Sequence, residues 1–321
     1  MTPPTTVLPA GLTVRPMRLS DVAVINAHLG AYCSALIGFS KYSPEGVANY
    51  LRDPALELAS DTWLVFHGDA VVGSAAAVRA TTARANIEVT TADAAVAGWL
   101  LDRAIERGVQ QATEQARRSG ADEVTISLGM LSEDQVKPAL AKERGMTVAT
   151  SIQRMQIQHS GPVEIPGIPD DIVIRRGALD EATRRAAHRV IAESFADQPA
   201  SVPRPYDDWV LSRESRSTFD WSQLTVLELD GRAVAVRECD DNFRDANCGY
   251  IGRLGVLPET RGRGLAKFLL RDAFALDAAA GRSGTILHVD TSNPTPAVGV
   301  YLAVGMRPVA VSDIWRLVVP V

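Results

Sequence analysis

The stretch best suited to chemistry is residues 261–264, Arg-Gly-Arg-Gly, which lie between an apolar segment and a helical pattern. The apolar segment at 250–257 predicts a strand, and apolar residues between Leu265 and Phe274 recur at roughly the 3.6-residue period of a helix. The first N–H groups of a helix have no partner within it, and the helix dipole places partial positive charge there. Glycines let an anion approach that backbone closely, and arginines suit phosphate oxygens. The pattern therefore predicts a cradle for a diphosphate.

Other kinds of phosphate site differ from this stretch in their spacing. A P-loop requires Gly-Lys-Ser/Thr in its signature, and the sequence contains no such run. A Rossmann fingerprint requires a third glycine and an acidic residue at the end of the next strand. Here the third glycine is missing and a long helical pattern precedes the next strand. A solvated basic turn that happens to contain glycines stays open as the alternative to a cradle.

Two blocks of the sequence resemble a known family. Residues 261–266, Arg-Gly-Arg-Gly-Leu-Ala, fit the Arg/Gln-x-x-Gly-x-Gly/Ala signature of the GNAT N-acetyltransferase superfamily, and residues 254–259 resemble the strand and splayed turn before it. The family's second block, with Asn, Ala, Tyr and Gly-Phe, is resembled at the same spacings by Asn293, Ala297, Tyr301 and Gly305-Met306. Because both blocks occur in the expected order and separation, the chain is identified as a member of that superfamily.

The chain also contains an internal repeat. Residues 12–16 are echoed by 172–176, and residues 145–146 by 305–306, so both pairs are 160 positions apart. With the resemblance, the repeat predicts an α/β fold of two tandem GNAT domains, each a mostly antiparallel central sheet flanked by helices. The predicted boundaries are 11–159 for a degenerate N-terminal domain, 160–170 for a linker rich in Pro and Gly, and 171–321 for a C-terminal domain that binds acetyl-CoA.

The N-terminal domain is predicted to be non-catalytic. Aligning the helices that precede each Arg-Ser-Gly places residues 97–102 opposite 261–266, and of the signature only Gly98 survives. In this alignment Asp102 lies at the start of the helix, where its charge would repel a diphosphate. A structural half that supports the active site is the preferred interpretation, and binding of a different ligand is the alternative.

The resemblance implies acetyl-CoA as cosubstrate and no metal. In this family the backbone of the strand before the cradle binds the pantetheine arm, and we expect an N–H near Val256 or Leu257 to stabilise the oxyanion. Asn293 is expected to bind the cofactor or to cap the following helix. The predicted cofactor-binding set is Leu254, Val256, Leu257, Arg261, Gly262, Arg263, Gly264, Leu265, Ala266 and Asn293.

Tyr301 is the candidate general acid, because a phenol with a pKa of about 10 can protonate a departing thiolate. A packed aromatic side chain on an amphipathic helix is the alternative role for this tyrosine. Glu238 and Asp240 are the candidate general bases, with solvation at the surface as their alternative role. Gly252 and Arg253 occupy the place where family members often carry an acid. This departure favours an amine that arrives deprotonated, or proton transfer through water.

The region from 192 to 219 is predicted to select the acceptor, with Phe195, Asp197, Tyr206 and Trp209 as candidate substrate-binding residues. Aromatic residues interleaved with acids suit a cationic small molecule, and they equally suit an ordinary amphipathic lid. The C-terminal half resembles tandem GNAT proteins of the mycothiol-synthase-like type. The expected function is N-acetylation of a primary amine of a small molecule. The alternatives are a protein or peptide N-acetyltransferase and a non-catalytic acyl-CoA sensor or scaffold.

Charge and composition narrow the possible partners. The formal net charge of −5 gives no indication of binding to nucleic acid or to a membrane surface. Three cysteines without metal-like spacing fit a reduced compartment. The N-terminus lacks the pattern of a signal peptide, and no stretch is long and apolar enough to span a bilayer. We therefore expect a cytoplasmic protein. Because two tandem domains mimic a dimer within one chain, we expect a monomer or a weak homodimer.

Overall fold

The computed structural model describes residues 7–80, 83–177, 180–196, 204–292 and 297–321. The chain forms two compact units: one comprises the chain up to Ile152 together with Val311–Val321, and the other comprises Gln153–Ala310. These units follow contacts in space, whereas the predicted domains at 11–159 and 171–321, with a linker at 160–170, follow the repeat along the chain. The repeat-based boundaries therefore stay a prediction. Within the described ranges, no helix is both long enough and apolar enough to cross a membrane.

Helices and strands are interspersed along the chain. The first unit contains β1 (Leu12–Arg15), α1 (Val22–Ile37), α2 (Pro44–Leu51), α3 (Leu58–Asp61), β2 (Thr62–His67), β3 (Ala70–Arg79), β4 (Arg84–Thr90), α4 (Ala94–Ser119), β5 (Glu123–Leu131) and α5 (Lys137–Glu143). Strand β6 (Thr147–Gln158) begins in this unit and ends in the second.

The second unit continues with β7 (Ile172–Arg176), α6 (Glu181–Ser194), α7 (Tyr206–Glu214), β8 (Leu224–Leu229), β9 (Arg232–Asp240), β10 (Cys248–Val256), α8 (Leu265–Ala279), β11 (Gly284–Asp290) and α9 (Ala297–Ala303). The chain ends with β12 (Arg307–Pro320), whose residues from Val311 onward belong to the first unit.

Each unit contains a mixed sheet, in which the described pairings include a parallel pair. The strand order is β1-β2-β3-β4-β5-β12 in the first unit and β6-β11-β10-β9-β8-β7 in the second. The parallel pairs are β4 with β5 and β10 with β11, and β1–β2, β2–β3, β3–β4, β5–β12, β7–β8, β8–β9 and β9–β10 are antiparallel. The predicted α/β fold, with a mostly antiparallel sheet flanked by helices, is confirmed.

Helices cover both faces of the sheet in the second unit. Apolar residues of α6 and α7 pack against β8 and β9 on one face, around Val190, Trp209 and Val236. Residues of α8 pack on the other face, where Leu265 and Leu269 contact a cluster that contains β8 and β9 residues. Beyond an irregularity at Val234, successive residues of β9 point to opposite faces, so Ala235 faces α8 and Val236 faces α6 and α7.

A buried ionic network fixes α8 against the sheet. The carboxylate of Asp272 on α8 accepts hydrogen bonds from Arg237 on β9 at 2.7 Å and from Arg176 on β7 at 2.8 Å. Burial alone would raise the pKa of Asp272, but the hydrogen bond from Arg176 and the charge of Arg237 hold it below its ordinary value. The N-terminus of α8 is therefore held in a defined position relative to β9 and β10.

Candidate active site

The two central parallel strands of the second unit separate part of the way along their length. Their register runs from Cys248 opposite Gly284 to Ile251 opposite Leu287 and extends no further among the described residues. On its other edge β10 stays paired with β9, with an irregularity between Ile251 and Arg253 that leaves Gly252 as an extra residue. Residues 252–256 therefore have a neighbouring strand on one side and an opening on the other.

The backbone of β10 has free donors that face this opening. The N–H of Leu257 donates to the carbonyl of Val234 on β9 at 2.9 Å. Because successive N–H groups of a strand point to opposite sides, the N–H groups of Val256 and Leu254 point away from β9. The prediction that the Leu257 N–H stabilises an oxyanion is therefore wrong, because that group is already paired, and its side chain is fully buried. Val256 and Leu254 remain available for the role.

The predicted cradle lies directly after this strand. A short turn at Pro258–Thr260 leads into Gly262 and Gly264, whose φ angles are 82° and 81°. Nothing lies within 4 Å of a Cβ built on either glycine, so the left-handed backbone, and not a lack of space, is what requires glycine here. In the described part of the chain, the N–H groups of residues 262–266 have no hydrogen-bond partner, and α8 has no side-chain cap.

Basic side chains surround the cradle, but they differ in what they contact. Arg261 donates to the carbonyl of Val256 at 3.3 Å and to that of Ser194 at 3.4 Å, so it ties the turn to β10 and α6. Arg263 is exposed, as are Lys267 and Arg271 at every fourth position after it. Of the predicted cradle residues, Leu265 is buried and Ala266 is half-buried. Their side chains anchor the helix, so what they can offer to an anion is their backbone N–H groups.

The corresponding helix of the first unit begins differently. Helix α4 starts at Ala94, and the carboxylate of Asp93 accepts a hydrogen bond from the Val96 N–H at 2.9 Å. Asp102 is therefore not at the helix start, as predicted, but well inside the helix, where it pairs with Arg144 at 2.6 Å. In this unit only three residues connect β4 to the helix, in place of the glycine turn, and the Asp93 cap lies where an anion would bind.

The strands of the first unit also separate, since the β4–β5 register ends at Ile87 opposite Leu128. There, however, a side chain of α1 forms a hydrogen bond with the backbone at the end of β4. The carbonyl of Thr90 at the end of β4 accepts a hydrogen bond from His28 at 3.0 Å. Burial, opposed by that bond, lowers the pKa of His28.

Tyr301 lies beside the point where β10 and β11 separate. It is 9% exposed and belongs to an apolar cluster that includes Ile251, Leu287 and Val289. Burial raises its pKa to about 12, so the hydroxyl is a donor throughout the physiological range. Within the described ranges, no side chain makes a hydrogen bond to that hydroxyl. Asn293, the other predicted member of this block, lies outside the described residues.

The two candidate bases lie on the opposite face of the sheet, but their surroundings differ. Glu238 forms a buried two-pronged pair with Arg213, in which Oε2 accepts hydrogen bonds at 2.9 and 3.0 Å. Asp240 accepts one hydrogen bond from the Asn242 N–H at 2.9 Å and lies 3.5 Å from Arg216. Burial raises the pKa of Asp240 to about 6, although the Asn242 N–H and the Arg216 charge act in the other direction.

Asp240 lies next to the irregular residue of β10. A Cβ built on Gly252 would be 3.7 Å from Oδ2 of Asp240, which is ordinary van der Waals contact. The carboxylate therefore borders the point where the opening begins. Both candidate bases stay predictions, and Asp240 combines this position with a raised pKa.

Three residues of this site were not predicted as site residues. Tyr250 lies opposite Asp240 in the β9–β10 register, Arg253 lies opposite Glu238, and the Tyr250 hydroxyl is 3.2 Å from Nδ1 of His288 on β11. Residues opposite one another in neighbouring strands share a face, so these groups lie on the face that carries Asp240. The pairing register reveals them, and that register depends on the irregularity at Gly252.

The predicted substrate-binding residues lie around α6 and α7. Trp209 is only 3% exposed and belongs to the apolar cluster of this face, against which Phe195 also packs. Tyr206 stacks on Trp209 with ring centroids 5.8 Å apart and donates to Glu181 at 2.9 Å. Asp197 lies outside the described residues. Substrate contact by Phe195, Tyr206 and Trp209 stays a prediction, and Trp209 also has a packing role.

Comparison with known proteins places these features in a family. The sequence profile of the Acetyltransferase (GNAT) family matches residues 189–306. A mycothiol acetyltransferase of Thermobispora bispora is 28% identical over 183 residues, which cover 55% of this chain and 60% of that protein. The chain spans between 43% and 60% of the length of the mycothiol acetyltransferases it matches.

Solved structures resemble the chain over nearly its whole length. A GCN5-related N-acetyltransferase from Sphaerobacter thermophilus has a TM-score of 0.82 at 20% identity, and the superposition covers 98% of this chain and 98% of that one. A tandem GNAT protein from the clavulanic acid biosynthesis pathway has a TM-score of 0.67 at 16% identity, over 95% of this chain and 98% of that one. At such identities the likeness shows the fold alone. An N-acetyltransferase of Archaeoglobus fulgidus is 32% identical over 105 residues, which cover 32% of this chain and 67% of that protein. Together with the profile match, this relative confirms the predicted resemblance: the chain belongs to the GNAT acetyltransferase family.

Proposed function

We propose that the second unit transfers an acetyl group from acetyl-CoA to a primary amine of a small molecule. The observation that carries this proposal is the run of unpartnered N–H groups at 262–266, at the end of a strand that separates from its neighbour. Such a helix N-terminus suits a diphosphate, and the open edge of β10 suits the amide groups of a pantetheine arm. The side chains of Arg263, Lys267 and Arg271 add positive charge nearby.

The proposed reaction joins the amine nitrogen to the acetyl carbon while the bond from that carbon to sulfur breaks. Acetyl-CoA supplies the acetyl group in activated form, as a thioester. Asp240 takes the proton of the amine, directly or through water, because a pKa of about 6 leaves it mostly ionised at neutral pH. Tyr301 gives a proton to the thiolate, and an N–H of Val256 or Leu254 stabilises the carbonyl oxygen. The products are an amide and the free thiol of CoA.

The positions of the acid and the base support separate roles. Tyr301 packs with Ile251 and Leu287, the last paired residues of the two strands, on the face that α8 covers. Asp240 borders Gly252, the next residue of β10, on the face that α6 and α7 cover. A thioester in the opening would therefore have a proton donor on one side and a proton acceptor on the other.

The acceptor class is supported by the relatives. Several relatives are named mycothiol acetyltransferase, which supports a small molecule over a protein or peptide as acceptor. A non-catalytic acyl-CoA sensor would need the cradle but neither Asp240 nor Tyr301. Variants of these two residues therefore separate an enzyme from a sensor.

The cradle is tested by a pair of variants that differ only in charge. Gly264→Asp and Gly264→Asn introduce side chains of one shape, and both residue types tolerate a left-handed backbone better than most. The aspartate places a negative charge at the N-terminus of α8, as Asp93 does at the N-terminus of α4. We expect calorimetry to show one acetyl-CoA per chain in the natural protein, and binding weaker by at least about tenfold in the Asp variant than in the Asn variant.

Equal affinities in the two variants would show that the diphosphate does not bind at this helix. Two acetyl-CoA sites per chain in the natural protein would contradict the degenerate first unit. Absence of any binding would contradict the proposed function itself.

A further inference from the structure

The face of the second sheet that α6 and α7 cover contains a local group of three arginines and two carboxylates. Arg253 lies opposite Glu238 in the β9–β10 register, so both side chains belong to this face, together with Asp240 two residues further along β9. Arg213 of α7 pairs with Glu238, and Arg216 just after it lies near both Glu238 and Asp240. Three guanidinium groups therefore share this region with two carboxylates.

Both carboxylates already have arginine partners. Glu238 pairs with Arg213 at 2.9 Å and with Arg216 at 3.7 Å, and Arg216 also lies 3.5 Å from Asp240. Arg253 is exposed, and no carboxylate of the described residues lies within 4.0 Å of its guanidinium. Its charge is therefore uncompensated within this group.

Arg253 also lies at the opening. It follows Gly252, the residue at which β10 leaves β11, and Gly252 borders the carboxylate of Asp240. Two residues later, a Cβ on Gly255 would overlap the Ser194 side chain, so α6 packs directly on the strand there. The part of this face left open by α6 is therefore the part that contains Arg253 and the proposed base.

We propose that Arg253 binds a carboxylate of the acceptor, and that the acceptor is an amino acid or an amine that carries a free carboxylate in the same way. This inference rests on the proposed acetyl transfer. A free guanidinium binds carboxylates with two parallel hydrogen bonds, and the bond is strong because both partners are charged. A zwitterionic acceptor matches both charges of the site: its ammonium end faces Asp240, and its carboxylate neutralises Arg253.

The proposal is tested with acceptors that differ only in the carboxylate. The probes are the standard L-α-amino acids and their α-amides, and acetyl transfer is followed by release of the CoA thiol. We expect at least one amino acid to be acetylated with a kcat/KM at least about tenfold above that of its amide. Arg253→Gln should remove this preference, chiefly through KM, and Arg253→Lys should restore part of it. Arg189→Gln, on the exposed surface of α6, is the matched control.

Arg253→Gln should leave the affinity for acetyl-CoA unchanged. A fall in that affinity would place Arg253 in the cosubstrate site and overturn the proposal. Equal or better acetylation of the amides would also overturn it, as would a preference that survives in Arg253→Gln. If acetyl-CoA binds but no amino acid is acetylated, the acceptor class is wrong while the cradle stands. If acetyl-CoA does not bind to the natural protein, the proposed function fails first, so the two failures are distinguishable.

Discussion

At the scale of single residues, neighbouring carboxylates on one strand have acquired different surroundings. Glu238 is enclosed by Arg213 in a buried pair that holds α7 on the sheet. Asp240 makes fewer polar contacts, lies deep in the protein and has a raised pKa as a result. Both carboxylates are buried, so the structural acid and the proposed proton acceptor differ in their arginine pairing, which the sequence motif alone does not show.

The role of Asp240 predicts a specific pH dependence. Below its pKa of about 6 the group is protonated and cannot take a proton, so kcat/KM should rise as pH increases through about 6 and then level off. Asp240→Asn should abolish this rise of kcat/KM with pH and lower turnover by roughly 10²-fold to 10⁴-fold. Arg216→Gln should move the midpoint upward, because the lost cation favours the ionised form. A pH–rate profile for each variant is the measurement.

Affinity for acetyl-CoA provides the control for the Asp240 experiment. It should be the same in Asp240→Asn as in the natural protein, since the carboxylate lies on the acceptor side. If the acidic limb persists in Asp240→Asn, another group is the base. His288, which lies near Tyr250 at the mouth of the opening, is then the next residue to replace.

The role of Tyr301 predicts a loss confined to turnover. Tyr301→Phe keeps the ring in its apolar cluster with Ile251 and Val289 and removes only the hydroxyl. If that hydroxyl protonates the thiolate, kcat should fall by roughly 10²-fold or more while binding of acetyl-CoA persists. Release of the CoA thiol measures kcat, and calorimetry measures the affinity for acetyl-CoA. Unchanged turnover would leave the tyrosine with a packing role and would remove the acid from the mechanism.

At the scale of elements, the strand, turn and helix of the cradle are local features and could be predicted. The apolar run before Pro258, the glycines at 262 and 264 and the helical period after Leu265 lie within a short segment of sequence. Each of these signals acts on its own backbone, through φ angles or side-chain period. The separation of β10 from β11 was expected only from the family resemblance, because it depends on which distant strands pair with each edge.

The error in aligning the two long helices has a physical origin. Matching the two Arg-Ser-Gly runs places Asp102 at the helix start only if the two helices have equal lengths, whereas α4 has 26 residues and α8 has 15. The extra turns of α4 include Val96, Leu100 and Leu101, which are buried in the core of the first unit. A local signal for the true start was present: Asp93 precedes the apolar pattern as an N-cap residue.

At the scale of the whole molecule, pairing of distant strands decides which residues fold together. The end of β12 runs antiparallel to β5, from Ser312 opposite Leu131 to Pro320 opposite Glu123. This segment therefore belongs to the first unit, although the repeat along the chain groups it with the second half. Sequence periodicity shows that a segment is a strand but not which partner it has, so boundaries drawn from the repeat and from contacts differ.

This division predicts which unit responds to a change near the C-terminus. Leu317 lies opposite Ile126 and packs on the core of the first unit, whereas its neighbour Val318 is 52% exposed. Leu317→Ala should lower the stability of the first unit by about 2 kcal/mol, and Val318→Ala by less than about 0.5 kcal/mol. Hydrogen exchange should therefore accelerate in β5 peptides of Leu317→Ala while β10 peptides and acetyl-CoA affinity stay unchanged. Faster exchange in β10 with β5 unaffected would instead assign the last strand to the second domain, as the repeat alone suggests.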